Sequence, residues 1–253
     1  MLWPQAAGGT NSQRPAMRVV VIFDKNTDKK SLHTGWGISF LINNNILFDT
    51  GENGAWLLKN AKCLQLDINS LEAAVISHDH WDHTGGLWEV LAERKGLKVY
   101  ACAGFSPEFK ERVRVAQGAL IEVDKVTEIS KGIFASAEIA GTYHGQYMPE
   151  QALFIRTEKG LSVITGCAHP GIVKILEKAK ESFGDSRVYS AFGGFHLMES
   201  DKRAIEIVAG RFKELNVTKA GPTHCSGRAA EDIFKKKYGD DFIALKAGED
   251  FNI

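Results

Sequence analysis

Hydrophobic residues in this chain fall in short β-branched or aromatic runs separated by Gly, Asn, Asp and Pro. That is the pattern of buried strands and tight turns. Arg18 to Phe23 reads as the first strand, followed by a polar loop, Asp24 to Ser31. Gly37 to Ile42 and Asn45 to Asp49 flank Asn43-Asn44 and predict a hairpin. Asn53 and Gly54 open a helix from Ala55 to Leu64, and Leu66 to Leu71 leads into the run Ala73 to Ser77. A helix follows Gly85-Gly86 as far as about Arg94, then a strand, Leu97 to Cys102. Pro107 suits the first turn of a helix within Phe105 to Gln117. Further strands are predicted at Leu120 to Val123, Ile133 to Ser136 and Ala152 to Thr157. The turn Glu158-Lys159-Gly160 joins the last of these to Leu161 to Thr165.

The second half repeats one arrangement three times. Leu161 to Thr165 precedes Gly166-Cys167-Ala168-His169-Pro170-Gly171 and a helix, Ile172 to Phe183. Arg187 to Phe192 precedes Gly193-Gly194-Phe195-His196 and a helix, Asp201 to Leu215. Val217 to Gly221 precedes Pro222-Thr223-His224-Cys225-Ser226-Gly227 and a helix, Arg228 to Tyr238. Each time a histidine sits just past a strand. In an open α/β sheet, loops converge outside the carboxyl ends of the strands. His169, His196 and His224 are therefore expected at one edge of the fold.

The same edge should receive His78-Asp79-His80-Trp81-Asp82-His83, which follows the run Ala73 to Ser77. Three imidazoles and two carboxylates in six residues form a donor set for zinc, iron or manganese. His78 and His80, two residues apart, can share one ion, and the Asp82-His83 pair is displaced enough to suit a second. Six of the eight histidines would then meet in one place.

The 253 residues allow a substantial core, and 31 basic against 31 acidic side chains leave no net charge. A general nucleic-acid binder would carry a basic excess. No apolar run reaches the length that crosses a bilayer, and Met1 to Ala16 lacks the charged-then-apolar order of a secretory signal. Residues 1–16 read as a flexible tail, with Met17 as an alternative start, and 17–253 as one domain. The cysteines Cys63, Cys102, Cys167 and Cys225 make no C-x-x-C pair, and free thiols in a cytoplasmic protein are expected.

The pattern H-x-H-x-D-H at His78, His80, Asp82 and His83, followed by Gly85-Gly86, resembles the signature of the metallo-β-lactamase superfamily. Together with Ile-Leu-Phe-Asp-Thr-Gly, Thr-Gly-Cys-Ala-His-Pro-Gly, Gly-Gly-Phe-His-Leu and Thr-His-Cys-Ser-Gly, it is similar to the group called dihydropterin-ribofuranosyl-aminobenzene-phosphate-synthase-like proteins. The resemblance implies an αββα sandwich of two mixed sheets with helices outside. It also implies two divalent ions, zinc first, iron or manganese as alternatives. His78, His80 and His169 would hold one ion, and Asp82, His83 and His224 the other. Asp82 and His196 would take catalytic parts, His196 as a proton donor to the leaving group.

One departure is chemical: the strand that usually ends in Gly-Asp, with a bridging carboxylate, ends here in Gly166-Cys167. Either Cys167 bridges as thiolate or His169 supplies the ligand, and a mononuclear or asymmetric site stays open. Asp49 is expected to support the ligand loop. His144, His33 and Arg228 are further candidates, the last for neutralising a phosphate. The implied activity is hydrolysis of a phosphoester or related small-molecule ester, pterin-related compounds included, by a water deprotonated between the ions. Its rivals are an iron-dependent redox enzyme and a non-catalytic, metal-stabilised binding protein. Trp36, Trp56, Trp81, Phe195 and Tyr143 could line a pocket for a flat ring.

Overall fold

Along strand β1 (Arg18–Phe23), Val19 and Val21 face one hydrophobic cluster while Val20 and Ile22 face another. A strand apolar on both faces must lie between two layers. A computed structural model describes residues 16–184 and 186–253 and shows how the layers are filled. The tail expected over residues 1–16 lies, apart from Ala16, outside the described residues.

The first sheet is built from β1, β2 (Ser39–Ile42), β3 (Ile46–Phe48), β4 (Ala73–Val75), β5 (Lys98–Cys102), β6 (Ala119–Val123) and β15 (Asp250–Asn252). Its order is β15-β1-β2-β3-β4-β5-β6, antiparallel as far as β3 and parallel from β3 to β6. Helices α1 (Gly54–Cys63), α3 (Leu87–Glu93) and α4 (Pro107–Val115) cover its outer face through Leu57, Val90, Phe109 and Val113. The four-residue helix α2 (Trp81–Thr84) carries the end of the histidine loop.

The second sheet runs β14-β13-β12-β11-β8-β7. Its strands are β7 (Thr127–Ser130), β8 (Ile133–Ala135), β11 (Leu153–Thr157), β12 (Gly160–Thr165), β13 (Val188–Gly194) and β14 (Lys219–Thr223). The strands β12, β13 and β14 are parallel. Helices α5 (Ile172–Ser182), α6 (Lys202–Glu214) and α7 (Gly227–Tyr238) cover it with Leu176, Phe212 and Phe234. Between the sheets Phe40 meets Phe192 edge to face, ring centres 5.7 Å apart. The architecture is thus the expected αββα sandwich.

Asn43 and Asn44 take φ of 49° and 63°, the left-handed pair that a two-residue hairpin requires. Asn53 caps α1 by accepting from the Trp56 amide, and Ser106 caps α4 through the Phe109 amide. The pattern did not reveal β7, β15, or the hairpin β9 (Ile139–Tyr143) and β10 (Gln146–Glu150). None offers a continuous run of buried apolar residues, so pairing and not patterning defines each. Among the described residues no helix is long and apolar enough to cross a membrane.

Candidate metal centre

The strands β1, β3, β4, β12, β13 and β14 deliver Asp24, Asp49, the 77–83 loop, Cys167 to His169, His196 and His224 from their carboxyl ends. Gly166 permits the two sheets' loops to touch. A Cβ there would stand 2.0 Å from Ser77 Oγ and 2.9 Å from Asp49 Oδ2. Asp49, Ala168, His196 and His224 all adopt left-handed φ values, between 51° and 63°. Each costs about 1 kcal/mol or more, which the surrounding packing must offset.

From the first sheet, Asp49 is fully buried and organises two histidines. Its Oδ1 accepts the Ser77 amide at 2.7 Å, and its Oδ2 accepts Ser77 Oγ–H at 2.7 Å and His83 Nδ1–H at 2.7 Å. Because Ser77 Oγ spends its proton on Asp49, His78 Nδ1 donates to that oxygen, 2.9 Å away. Both imidazoles thereby turn their Nε2 toward the centre. His78 Nε2 is buried without a hydrogen-bond partner, and His83 Nε2 lies 3.3 Å from Cys167 Sγ. Burial, reinforced by His83, His169 and His80, holds His78 well below the ordinary imidazole range, so it is neutral at pH 7. Burial likewise lowers His80, whose ring meets His78 at 4.8 Å and His169 at 5.2 Å.

From the second sheet, Glu150 performs the equivalent task. Its Oε1 accepts the amides of Cys167 at 3.0 Å and Ala168 at 2.7 Å. Its Oε2 accepts the His169 amide at 2.7 Å and His169 Nδ1–H at 3.0 Å. Burial disfavours the charged form, but His169 and these amides outweigh it and hold the carboxyl below its usual range. His169 Nε2 is therefore also bare, and the ring lies 4.6 Å from that of His78.

The remaining side closes through Asp82, whose Oδ2 lies 3.2 Å from His224 Nε2 and 3.4 Å from His83 Nε2. Burial opposes its ionisation, yet His224 and His83 hold the carboxyl far below the ordinary range. His224 differs from the other rings: its Nδ1 accepts the Gly37 amide at 3.3 Å, so in the neutral ring the proton sits on Nε2.

Three donor groups emerge, with all ligand atoms in each within 4.8 Å: Asp82, His83, Cys167 and His224; His78, Cys167 and His169; Cys167, His196 and Cys225. Inward-facing imidazoles with a buried, unpartnered nitrogen fit a metal ion, because such an atom otherwise forfeits its hydrogen bond to water. Cys167 Sγ is common to all three groups. His196 is exposed, and the neighbouring Cys225 sulfur raises it above the ordinary imidazole range.

Three candidates lie outside these donor groups. His33 stacks on Trp56 at 5.6 Å, its main chain held by the Asn60 side chain. His144 is exposed at the β9–β10 turn against Tyr143, and Arg228 extends into solvent beside Asp232. Of the aromatic candidates, Phe195 is core, packed on Phe212 and Phe234. Trp36 covers His224 at 4.7 Å, and Tyr143 faces His80, His169 and His196 at 4.8, 5.2 and 5.8 Å. Sequence reasoning missed Glu150, Ser77 and Cys225. Only Cys225 had a signal, its place beside His224.

Residues 44–144 match the model of the β-lactamase superfamily domain. The chain is 32% identical to the 7,8-dihydropterin-6-methyl-4-(β-D-ribofuranosyl)-aminobenzene-5'-phosphate synthase of Methanocaldococcus jannaschii, spanning 84% of this chain and 88% of that one. It is also 32% identical to Tm1679, a metal-dependent hydrolase of the β-lactamase superfamily known from its crystal structure. That likeness covers 94% of this chain and 99% of the other, with a TM-score of 0.80. Human tRNase Z, short form, shares the fold at a TM-score of 0.61 and 14% identity, over 92% of this chain and 98% of the other.

Proposed function

The chain belongs to the metallo-β-lactamase superfamily, and from that premise we propose that it is a metal-dependent hydrolase of a small-molecule phosphoester or related ester. The observation that carries this reading is the common wiring of His78, His83 and His169. Each ring gives its Nδ1 proton to a protein oxygen and turns its Nε2 toward the same few ångströms of space. Such outer partners fix tautomer and orientation at metal sites.

His78 and His169, with the His80 ring beside them, would hold one divalent ion and Asp82, His83 and His224 a second, and Cys167 Sγ is within reach of both groups. Zinc suits this donor set best, with iron or manganese as alternatives. Bound there, the ions would bring the pKa of a coordinated water to about 7 and offset charge on the ester oxygens. The chain's own side chains do the rest. Asp82, held ionised, orients the attacking water and accepts its hydrogen bond. His196, kept protonated further up the pH scale by Cys225 and open to solvent, is placed to hand a proton to the departing oxygen.

Two features favour a phosphoester. Helices α5 and α7 begin at this edge with no side-chain cap, whereas Asp201 caps α6. Free amides at a helix start attract anions. Trp36 packs on His224 and Tyr143 on His80, aromatic surfaces that suit a flat ring such as a pterin. The relative named a synthase supports a pterin-bearing phosphate as the substrate of this site. Balanced charge favours a small molecule over nucleic acid, and four free cysteines fit a reducing cytoplasm. Because both sheets contribute donors, residues 17–253 act as one catalytic unit.

The test is elemental analysis of protein purified without added metal, beside His80→Ala and His169→Ala, followed by phosphomonoester and phosphodiester screens. The reading expects about two ions per chain, depletion in both variants, and ester turnover lost with the metal. No bound metal, or content unchanged in both variants, would overturn it. Bound iron without esterase activity would transfer the site to redox chemistry.

A further inference from the structure

We propose that Cys167, Cys225 and His196 form a distinct binding site for a soft, thiophilic cation such as zinc, cadmium or copper(I), beside the imidazole cluster. The inference does not depend on hydrolysis. The two sulfurs and the imidazole nitrogen lie within 4.8 Å of one another. Both thiols are free, with 4% exposure for Cys167 and 6% for Cys225.

The backbone is arranged around the sulfurs. Gly194 makes room for them, since a Cβ there would meet Cys225 Sγ at 2.7 Å and the Cys167 Cα at 3.1 Å. Cys225 Sγ lies over the Cys167 carbonyl at 3.6 Å, which fixes its rotamer facing Cys167. His196 turns back at a φ of 51° and completes the group from the solvent side. An isolated buried cysteine is ordinarily just a small apolar residue. A pair of them sharing a histidine is not isolated.

Two thiolates and one imidazole are three of the four donors such an ion takes, which leaves room for a fourth ligand, and His196 is exposed. Thiolate ligands select zinc, cadmium and copper(I) over magnesium, calcium and manganese. Binding releases two protons from the thiol and imidazole groups to solvent, so the site gains two negative charges to match the incoming cation. Cys167 also belongs to both imidazole groups, with its sulfur 3.3 Å from His83 Nε2. An ion seated on the thiols therefore competes for the one sulfur the other two groups share.

The experiment is an ultraviolet titration of the reduced, purified full chain with cadmium, following sulfur-to-metal charge-transfer absorbance. Wild type, Cys225→Ser, Cys167→Ser and His196→Ala are compared, with circular dichroism as a check on folding. Serine keeps a donor of similar size at either position. The expected band in wild type reports two thiolates and falls by half in either serine variant. His196→Ala, at an exposed position, keeps the full band with at least about tenfold weaker binding. A band in Cys225→Ser equal to that of wild type would mean that Cys167 binds alone and would overturn the proposal, as would no band in wild type. If a serine variant fails to fold, unchanged cadmium affinity in His196→Ala overturns it equally. Failure of the esterase screens leaves this band untouched, so the two readings fail separately.

Discussion

Glu150→Gln removes one charge and replaces one acceptor by a donor, without altering any residue of the three donor groups. In the native protein the carboxylate accepts three consecutive amides and the His169 ring, at 2.7 to 3.0 Å. A glutamine can satisfy the Cys167 and Ala168 amides through its oxygen, but its NH2 then faces the His169 amide. One charge-assisted hydrogen bond is lost, about 1.5–3 kcal/mol, and one buried N–H is stranded, about 1–3 kcal/mol. The expected loss is about 3–5 kcal/mol, the range for a buried charged network that loses one member. The same NH2 turns His169 Nδ1 into an acceptor and moves the ring proton to Nε2, the atom turned toward His78. Metal affinity should fall about 10- to 100-fold.

The pH dependence has a definite sign. Glu150 is held below its usual 4.5 in the folded chain, so its stabilisation is complete above that value and fades as pH falls through the lower folded value. Urea unfolding of metal-free protein from neutral pH to about pH 3, with calorimetric metal titration, measures both effects. The wild type should lose stability on acidification more steeply than Glu150→Gln. A stability change under about 1 kcal/mol with unaltered metal affinity would refute the wiring described for His169.

Asp24 should behave oppositely: burial raises its carboxyl from 3.8 to about 6, with Thr223 and Asn26 only partly compensating. Its contribution is favourable below 3.8 and is lost as pH rises through about 6, a penalty of about 3 kcal/mol at neutral pH. Asp24→Asn is expected to stabilise the chain by about 1–2 kcal/mol at pH 7, the gain vanishing in acid, as urea unfolding at several pH values will show. Gly166→Ala should cost about 1–3 kcal/mol and weaken metal binding, because its Cβ displaces Ser77 and Asp49; thermal melts and metal titration check both. His33→Ala should leave metal content unchanged, since that ring packs on Trp56, and depletion of metal would contradict the placement. Calorimetric titration should resolve two unequal metal-binding steps. His78 and His169 have their Nε2 atoms bare, whereas His224 must first exchange the ring proton that its Gly37 contact imposes; a single step of equal sites would refute this.

Much of the layered fold was legible because buried strands such as β1 are apolar on both faces and leave an unbroken run. The histidine loop was legible for a different reason, that its donors are neighbours in sequence. His169, His196 and His224 could be placed only through the repeated strand-loop-helix pattern, which fixed the edge but not the tautomers. Glu150 left no local trace, as its partners lie 17 to 19 residues away and its burial follows from the β10–β11 connection. The hairpin β9–β10 was hidden because only β9 alternates between buried and exposed, while Tyr147-Met148-Pro149 in β10 interrupts any strand pattern with a proline.

The first sheet takes β1–β6 from one continuous stretch of chain and the second takes β7, β8 and β11–β14 from the next. The donors are divided the same way, with His78, His80, Asp82 and His83 on one side of the seam and Cys167, His169, His196 and His224 on the other. Any ion seated among them is a clasp across that seam. At a thousandfold excess over its dissociation constant, such a ligand adds about 4 kcal/mol to the cohesion of the two halves. Chelation should then loosen the joint before it melts either sheet, and amide exchange should quicken first along Phe40 and Phe192, where the halves meet.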